Sequence, residues 1–138
     1  MRLAARTDDK LGYSVLPDGS VQFVLPWPPS VNDYWRVRPN SKGVFYLTKR
    51  ANQFRDDVWA LCIGCPKFGD SPIELAIRLY PPTLQRRDAD NFQKAIWDAL
   101  ENAKVFDDDC QVQRFTVEKC RVIKGGCVVV QVRIFDDT

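Results

Sequence analysis

Asp88 and Asp90 stand one residue apart directly behind Arg86 and Arg87, with Lys94 a turn further on and the run Asp107-Asp108-Asp109 downstream. Carboxylates gathered among basic side chains suit a hard divalent cation such as Mg²⁺, which takes oxygen ligands and keeps several waters. Such an ion polarises a scissile phosphate, lowers the pKa of a bound water and stabilises a leaving oxygen. A lysine beside it can neutralise the charge of the transition state or orient the attacking water. The stretch therefore holds the parts of a phosphodiester hydrolase. Each part also has a plainer use. Asp88 or Asp90 can cap a helix, whose N-terminus favours acids. Lys94 can pair with Asp90 or Asp98, and Asp107 to Asp109 can form a solvated turn. Capping needs only one acid, however, and the chain supplies two beside a basic pair.

The chain contains no histidine. That removes Ser-His, Cys-His and His-zinc chemistry, so a general base or metal ligand must be Asp, Glu, Lys, Tyr or Cys. Five cysteines, an odd number without a secretory leader, read as reduced thiols rather than a disulfide framework. Cys62 and Cys65 form a CxxC, but at a helix end rather than a helix start, and the other three are isolated. Small buried thiols are the expected outcome.

The elements that must position the acids emerge from hydrophobic spacing. Val21 to Leu25 is a short strand stopped by Pro26-Trp27-Pro28-Pro29. Ser30 to Phe45 is a loop by composition. Its Tyr34, Trp35, Arg36 and Arg38 offer stacking and phosphate contacts to DNA, or pack the loop onto the core. From the N-cap Thr48, the recurrence of Ala51, Phe54, Val58 and Leu61 predicts a helix that fades near Gly64. Ile73, Leu75, Ile77 and Leu79 alternate with Glu74, Ala76, Arg78 and Tyr80, a half-buried strand. A second helix begins near Asp90 and buries Phe92, Ile96, Ala99, Leu100 and Ala103. It leaves Asp90, Lys94 and Asp98 along one edge, with Trp97 and Glu101 also on the polar side. A strand from about Gln111 to Val122, a hairpin turn at Lys124-Gly125-Gly126 and a strand from Cys127 to Phe135 complete the chain.

This order predicts a single α+β domain over residues 21–138, β-α-β-α-β-β with a mixed sheet flanked by helices. Residues 1–20 read as an N-terminal appendage containing a strand that pairs with the one beginning at Val21. The length of 138 residues, with 45% hydrophobic and 28% charged residues, suits one domain with its own core. No apolar run approaches a membrane span, so a cytoplasmic location is expected. The net charge of +2 does not by itself mark a nucleic-acid binder. Its distribution says more: Arg36, Arg38, Lys42, Lys49 and Arg50 cluster before the middle, and Arg86, Arg87 and Lys94 flank the acids.

The segment Asp88-Ala89-Asp90-Asn91-Phe92-Gln93-Lys94, followed by Asp98-Ala99-Leu100 and Asp108-Asp109-Cys110-Gln111-Val112, resembles the signature of the RusA family of Holliday junction resolvases. Leu25-Pro26-Trp27-Pro28-Pro29-Ser30 with Asn32, and the closing strands across Lys124-Gly125-Gly126, resemble further motifs of that family. The resemblance runs from Val21 to Ile134. It implies a homodimeric, Mg²⁺-dependent endonuclease, with Mn²⁺ as a substitute ion, that resolves four-way junction DNA by paired symmetric nicks using a metal-activated water. Metal ligation carries over onto Asp88, Asp90 and Asp109, and the catalytic lysine onto Lys94. Asp109 is selected because the family acid lies two residues before the glutamine, here Gln111. Asn91 and Asp108 match as supporting residues, and Arg36, Arg38, Arg86 and Arg87 are the candidates for DNA contact. A glycine is common in the family where this chain has Lys104. Two other readings stand beside this one: a nuclease of flaps or other branched DNA, and a junction-binding protein without catalysis. A pure binder would gain from losing acids that repel phosphate, which favours the enzymes.

Overall fold

The computed structural model describes residues 10–40 and 42–136. In chain order the elements are β1 (Gly12–Val15), β2 (Val21–Pro26), β3 (Trp35–Val37), β4 (Phe45–Leu47), α1 (Lys49–Leu61), β5 (Ile73–Tyr80), α2 (Gln93–Asn102), β6 (Val112–Lys119) and β7 (Cys127–Ile134). Of the region read as an appendage, residues 1–9 lie outside the described residues. Gly12–Val15 forms β1 and pairs antiparallel with β2.

Alternation decides which side of each strand is buried. In β5, Ile73, Leu75, Ile77 and Leu79 point into the core. Val21, Phe23 and Leu25 of β2, with Val128, Val130 and Val132 of β7, do the same. Both helices cover this face: Ala51, Phe54 and Val58 from α1, and Ala95, Ile96, Ala99 and Leu100 from α2. Each such side chain, fully withdrawn from water, contributes about 1.5–3 kcal/mol when it is as large as Val, Leu, Ile or Phe. The expected mixed sheet with helices packed on it is present, and both helices lie on the same face. The opposite face carries a small cluster of Val24, Tyr80, Ile123, Cys127 and Val129. Towards the other end of β5 Glu74 pairs with Arg114 and Arg133.

The sheet order is β1-β2-β7-β5-β6. β7 is antiparallel to both β2 and β5, and β5 is parallel to β6. This corrects the hairpin expected at Lys124-Gly125-Gly126, because β5 lies between β6 and β7. The connection instead crosses the end of β5, where Cys120 N–H donates to Leu79 O at 2.8 Å and Ile123 N–H to Pro81 O at 3.0 Å. Burial explains the order. The near-continuous apolar run of β7 belongs in the interior, whereas the polar β6 is mostly exposed and takes an edge. Gly126 has φ +69°, and a Cβ there would lie 2.9 Å from Pro82 Cδ and 3.0 Å from Trp27 Cβ. Glycine is required at that crossing.

A second correction concerns residues 30–45. The segment is not all loop, for β3 and β4 pair antiparallel as a separate two-stranded ribbon. Its pairing is too short, and its side chains too exposed, to produce a periodic signal.

A parallel strand pair needs a crossover, and α2 provides it between β5 and β6. The loop that enters α2 carries Asp88 and Asp90, and the loop that leaves it carries Asp107 to Asp109. Topology thus places the two groups of acids at opposite ends of one helix.

Candidate active site

The entry loop is braced from several sides. The Arg87 guanidinium donates to Thr83 O, Gln85 O and Thr83 Oγ1, each at 3.0 Å, and lies 5.7 Å from the centroid of the Trp27 ring. Lys119 Nζ donates to Arg87 O at 2.9 Å. Trp27, from the Pro-Trp-Pro-Pro segment, packs at 4.8 Å between centroids on Phe92, which is buried. Behind this brace the chain makes a 3-10 turn, Ala89–Asn91, before α2 begins at Gln93.

The helix-cap explanation of the acids fails on this geometry. Asp88 holds the N-cap position of the 3-10 turn with no side-chain cap, and the N-cap of α2 is Phe92. Asp88 and Asp90 are exposed, and among the described residues neither carboxylate bonds a partner. Lys94 does have one. Its Nζ donates to Asp98 Oδ1 at 3.1 Å, so of the two pairings open in the sequence the helix makes the downstream one. The other carboxylate oxygen of Asp98 accepts from the Tyr34 hydroxyl at 2.7 Å. Burial first, and then the bond to Asp98, push the Tyr34 phenol far above its ordinary pKa.

The exit from α2 is built with equal care. Lys104 has φ +63°, its N–H donates to Glu101 O at 2.9 Å, and Val105 N–H donates to Leu100 O at 3.0 Å. This pair of hydrogen bonds ends a helix with one left-handed residue, which explains why glycine suits the position. Gln111, buried at the foot of β6, then binds four groups. Its Oε1 accepts from Asp107 N–H at 2.8 Å and Asp108 N–H at 2.6 Å. Its Nε2 donates to Gly69 O at 2.7 Å and Ser71 O at 2.8 Å. The acidic run is a pinned turn and not a free one.

Asp109 N–H donates to Glu101 Oε1 at 2.9 Å. Carboxylate oxygens of Glu101, Asp108 and Asp109 lie within 4.8 Å of one another. The Cys110 N–H, and then its thiol, hold the Asp108 carboxyl below the usual carboxylate range. Three hard oxygen donors without a thiol among them fit a divalent cation such as Mg²⁺ and do not fit a soft one. Asp88 and Asp90 stand outside this cluster. Asp90 and Glu101 are eleven residues apart at opposite ends of α2, about 16 Å at 1.5 Å rise per residue. Lys94 and Asn91 lie at the Asp90 end, and Asp108 lies with Asp109.

The four arginines named for DNA contact divide sharply. Arg36 is tied to Asp33 at 3.0 Å and to backbone carbonyls of Asn32 and Trp35, and Arg87 braces the entry loop. Arg38 lies 6.0 Å from the Tyr46 centroid on the ribbon. Arg86 alone of the four is exposed at the acid-bearing loop without a bonded partner among the described residues. It lines a polar cleft with Arg50, Asn32, Ser30 and Asn91.

Sequence reasoning gave Glu101 no role in the site, used Gln111 only to locate Asp109, and left Tyr34 between DNA stacking and packing; Tyr34 is buried, so it packs. Glu101 sits on the polar stripe of α2, and that was the only signal available for it. The CxxC residues are buried at the end of α1, with the Cys62 thiol pushed up to about 12 by burial first and by Cys65 beside it. No cysteine joins a cluster of metal-ligating side chains among the described residues. No helix there is long and apolar enough to cross a membrane.

Residues 26–134 match the family model described as Endodeoxyribonuclease RusA. The chain is 38% identical over 106 residues to the crossover junction endodeoxyribonuclease rusA of Enterobacteria phage 82, covering 75% of this chain and 86% of that protein. It is 37% identical over 110 residues to the crossover junction endodeoxyribonuclease RusA of Shigella sonnei, with the same coverage. The phage HK97 protein of that name is 31% identical over 113 residues, covering 80% of this chain and 92% of its own length.

Proposed function

The chain belongs to the RusA family of endodeoxyribonucleases, and from that membership we propose that it resolves four-way DNA junctions by metal-dependent hydrolysis of opposed phosphodiesters. The observation that carries this reading is that Asp88 and Asp90 project into solvent without a cap, ion pair or hydrogen bond among the described residues. Two unpaired carboxylates beside Arg86 and Lys94 cost a DNA-binding surface affinity unless they do chemistry.

Asp88, Asp90 and Asp109 would hold the cation, Mg²⁺ by preference and Mn²⁺ as a substitute, with Asp108 and Glu101 adding negative charge at Asp109. When bound, a divalent cation lends Lewis-acid charge to the scissile phosphate and acidifies water beside it. Lys94 offsets the negative charge that grows on the phosphate oxygens. Arg86 contacts a backbone phosphate and fixes the register of the strand, while Arg87 holds the loop that carries both acids. Asn91 lines the same cleft as Arg86, and its backbone N–H closes the turn onto Asp88 O at 3.2 Å.

Metal–carboxylate bonds are about 2 Å long, so one ion cannot reach both ends of α2 in a single chain. A two-fold pair of chains answers this, with Asp88 and Asp90 of one copy facing Asp109 of the partner subunit. The homodimer also matches the substrate, whose two equivalent strands need two equivalent sites.

The test uses a synthetic four-way junction with and without Mg²⁺, beside linear duplex and flap controls. Paired symmetric nicks that vanish in Asp90→Asn support the proposal. Binding without cleavage in Mg²⁺ or Mn²⁺ overturns it, and preferred cutting of flaps replaces it with the flap nuclease. Mixing Asp90→Asn and Asp109→Asn proteins, each inactive alone, tests the shared site. The mixture regains single-strand nicking when the acids come from two chains, and stays inactive when they come from one.

A further inference from the structure

We propose that Tyr34 and Asp98 are positioning residues that aim the Lys94 ammonium, joining the loop after the Pro-Trp-Pro-Pro segment to the chemistry on α2. This deepens the proposed function and rests on its assignment of Lys94.

Tyr34 is fully buried, and its hydroxyl donates to Asp98 Oδ2 at 2.7 Å across 64 residues of chain. The tyrosine itself is well anchored. Its backbone carbonyl accepts from Thr48 N–H at 3.0 Å, and Thr48 Oγ1 donates to Asp33 O at 2.7 Å. Thr48 is also the N-cap of α1, bonding Ala51 N–H at 3.1 Å, so Tyr34 is fixed to the start of that helix. The Trp35 ring closes on Tyr34 edge-on at 5.1 Å.

Asp98 receives this support and passes it on. Its side chain is 22% exposed, and Oδ1 accepts from Lys94 Nζ at 3.1 Å while Oδ2 faces Tyr34. An exposed Lys–Asp pair one turn apart on a helix is weak and poorly fixed by itself. Here the carboxylate cannot rotate freely, because a buried phenol holds its far oxygen. Lys94 therefore bonds a fixed acceptor, and a long side chain with many rotamers is confined to one direction along the α2 edge. The other charged groups nearby are Arg55 and Lys104, which line the same groove as Tyr34 and Asp98, Glu101 one turn beyond Asp98, and Asp90 four residues before Lys94. A purely structural role would make Tyr34–Asp98 a clasp between loop and helix with no bearing on Lys94.

The experiment measures single-turnover cleavage of a synthetic four-way junction in Mg²⁺, junction affinity without divalent cation, and thermal stability. The full chain is compared with Tyr34→Phe, Asp98→Asn, Lys94→Ala and the double variant Asp98→Asn/Lys94→Ala. Asp98→Asn is expected to slow cleavage about tenfold and Tyr34→Phe roughly threefold, as partial losses of the orientation of Lys94. Junction affinity does not fall in either variant. In the Lys94→Ala background Asp98→Asn has no further effect. An equal slowing by Asp98→Asn with and without Lys94 overturns the proposal alone, as does a loss of stability with the rate intact. Wild-type cleavage by Lys94→Ala, or no junction cleavage by the unaltered protein, removes the assigned function and this proposal together.

Discussion

Glu101 Oε1 accepts the backbone N–H of Asp109 at 2.9 Å, tying the acidic turn to the last turn of α2. The same carboxylate stands in the cluster with Asp108 and Asp109, so it both places Asp109 and adds charge to it. Glu101→Gln separates the two roles, since the amide oxygen still accepts the bond while the charge is lost. We expect unchanged thermal stability and a roughly tenfold higher divalent-cation concentration for half-maximal junction cleavage, read from a metal titration.

Gln111 is the buried centre of the turn, and replacing it with leucine leaves two N–H groups and two carbonyls without their partner. Gln111→Leu should lower the free energy of unfolding by about 3 kcal/mol, since each abandoned buried group carries a desolvation cost. Denaturant melts measure the loss. Cleavage should fall even at temperatures where the variant is folded, because Asp109 is no longer held.

Lys104 shows the opposite sign. A side chain at φ +63° is strained, and glycine relieves the strain while adding freedom to the unfolded chain. Lys104→Gly should therefore stabilise by about 0.5–1 kcal/mol, a small upward shift of the melting temperature with junction cleavage retained.

The thiols should react in a fixed order. Alkylation consumes the thiolate, and a raised pKa means less thiolate at any pH below it. Cys62, held up to about 12 by burial, stays protonated at pH 8 and should label only on unfolding. Cys110 is exposed and should label first. Its thiol donates to Asp108, which raises its pKa, so Asp108→Asn should speed labelling of Cys110 near neutral pH. Mass spectrometry of time points checks both statements.

Local spacing carried much of this protein. The alternation of β5, the three- and four-residue steps of α1 and α2 and the Thr48 cap are all readable, because each depends on residues within a few positions of one another, and the absence of histidine needs only composition. The grouping of Asp88, Asp90 and Lys94 around one helix entrance was legible for the same reason. The family signature added Asp109.

Tertiary structure decided what distance along the chain conceals. The Gly125-Gly126 turn looks like a hairpin, yet β5 enters between β6 and β7 because the most apolar strands are best buried with neighbours on both sides. The ribbon of β3 and β4 has no sequence signature, since three-residue strands with mostly exposed side chains leave no period. Tyr34 and Asp98 meet across 64 residues, and no local pattern encodes that bond. Most consequential is the parallel pairing of β5 with β6, which makes α2 a crossover. The sequence by itself determined which acids are available. Their spacing already set them at the two ends of a helix; only the fold decided that this helix is a crossover joining β5 to a parallel β6, because a parallel connection must travel the length of the sheet before it can begin the next strand.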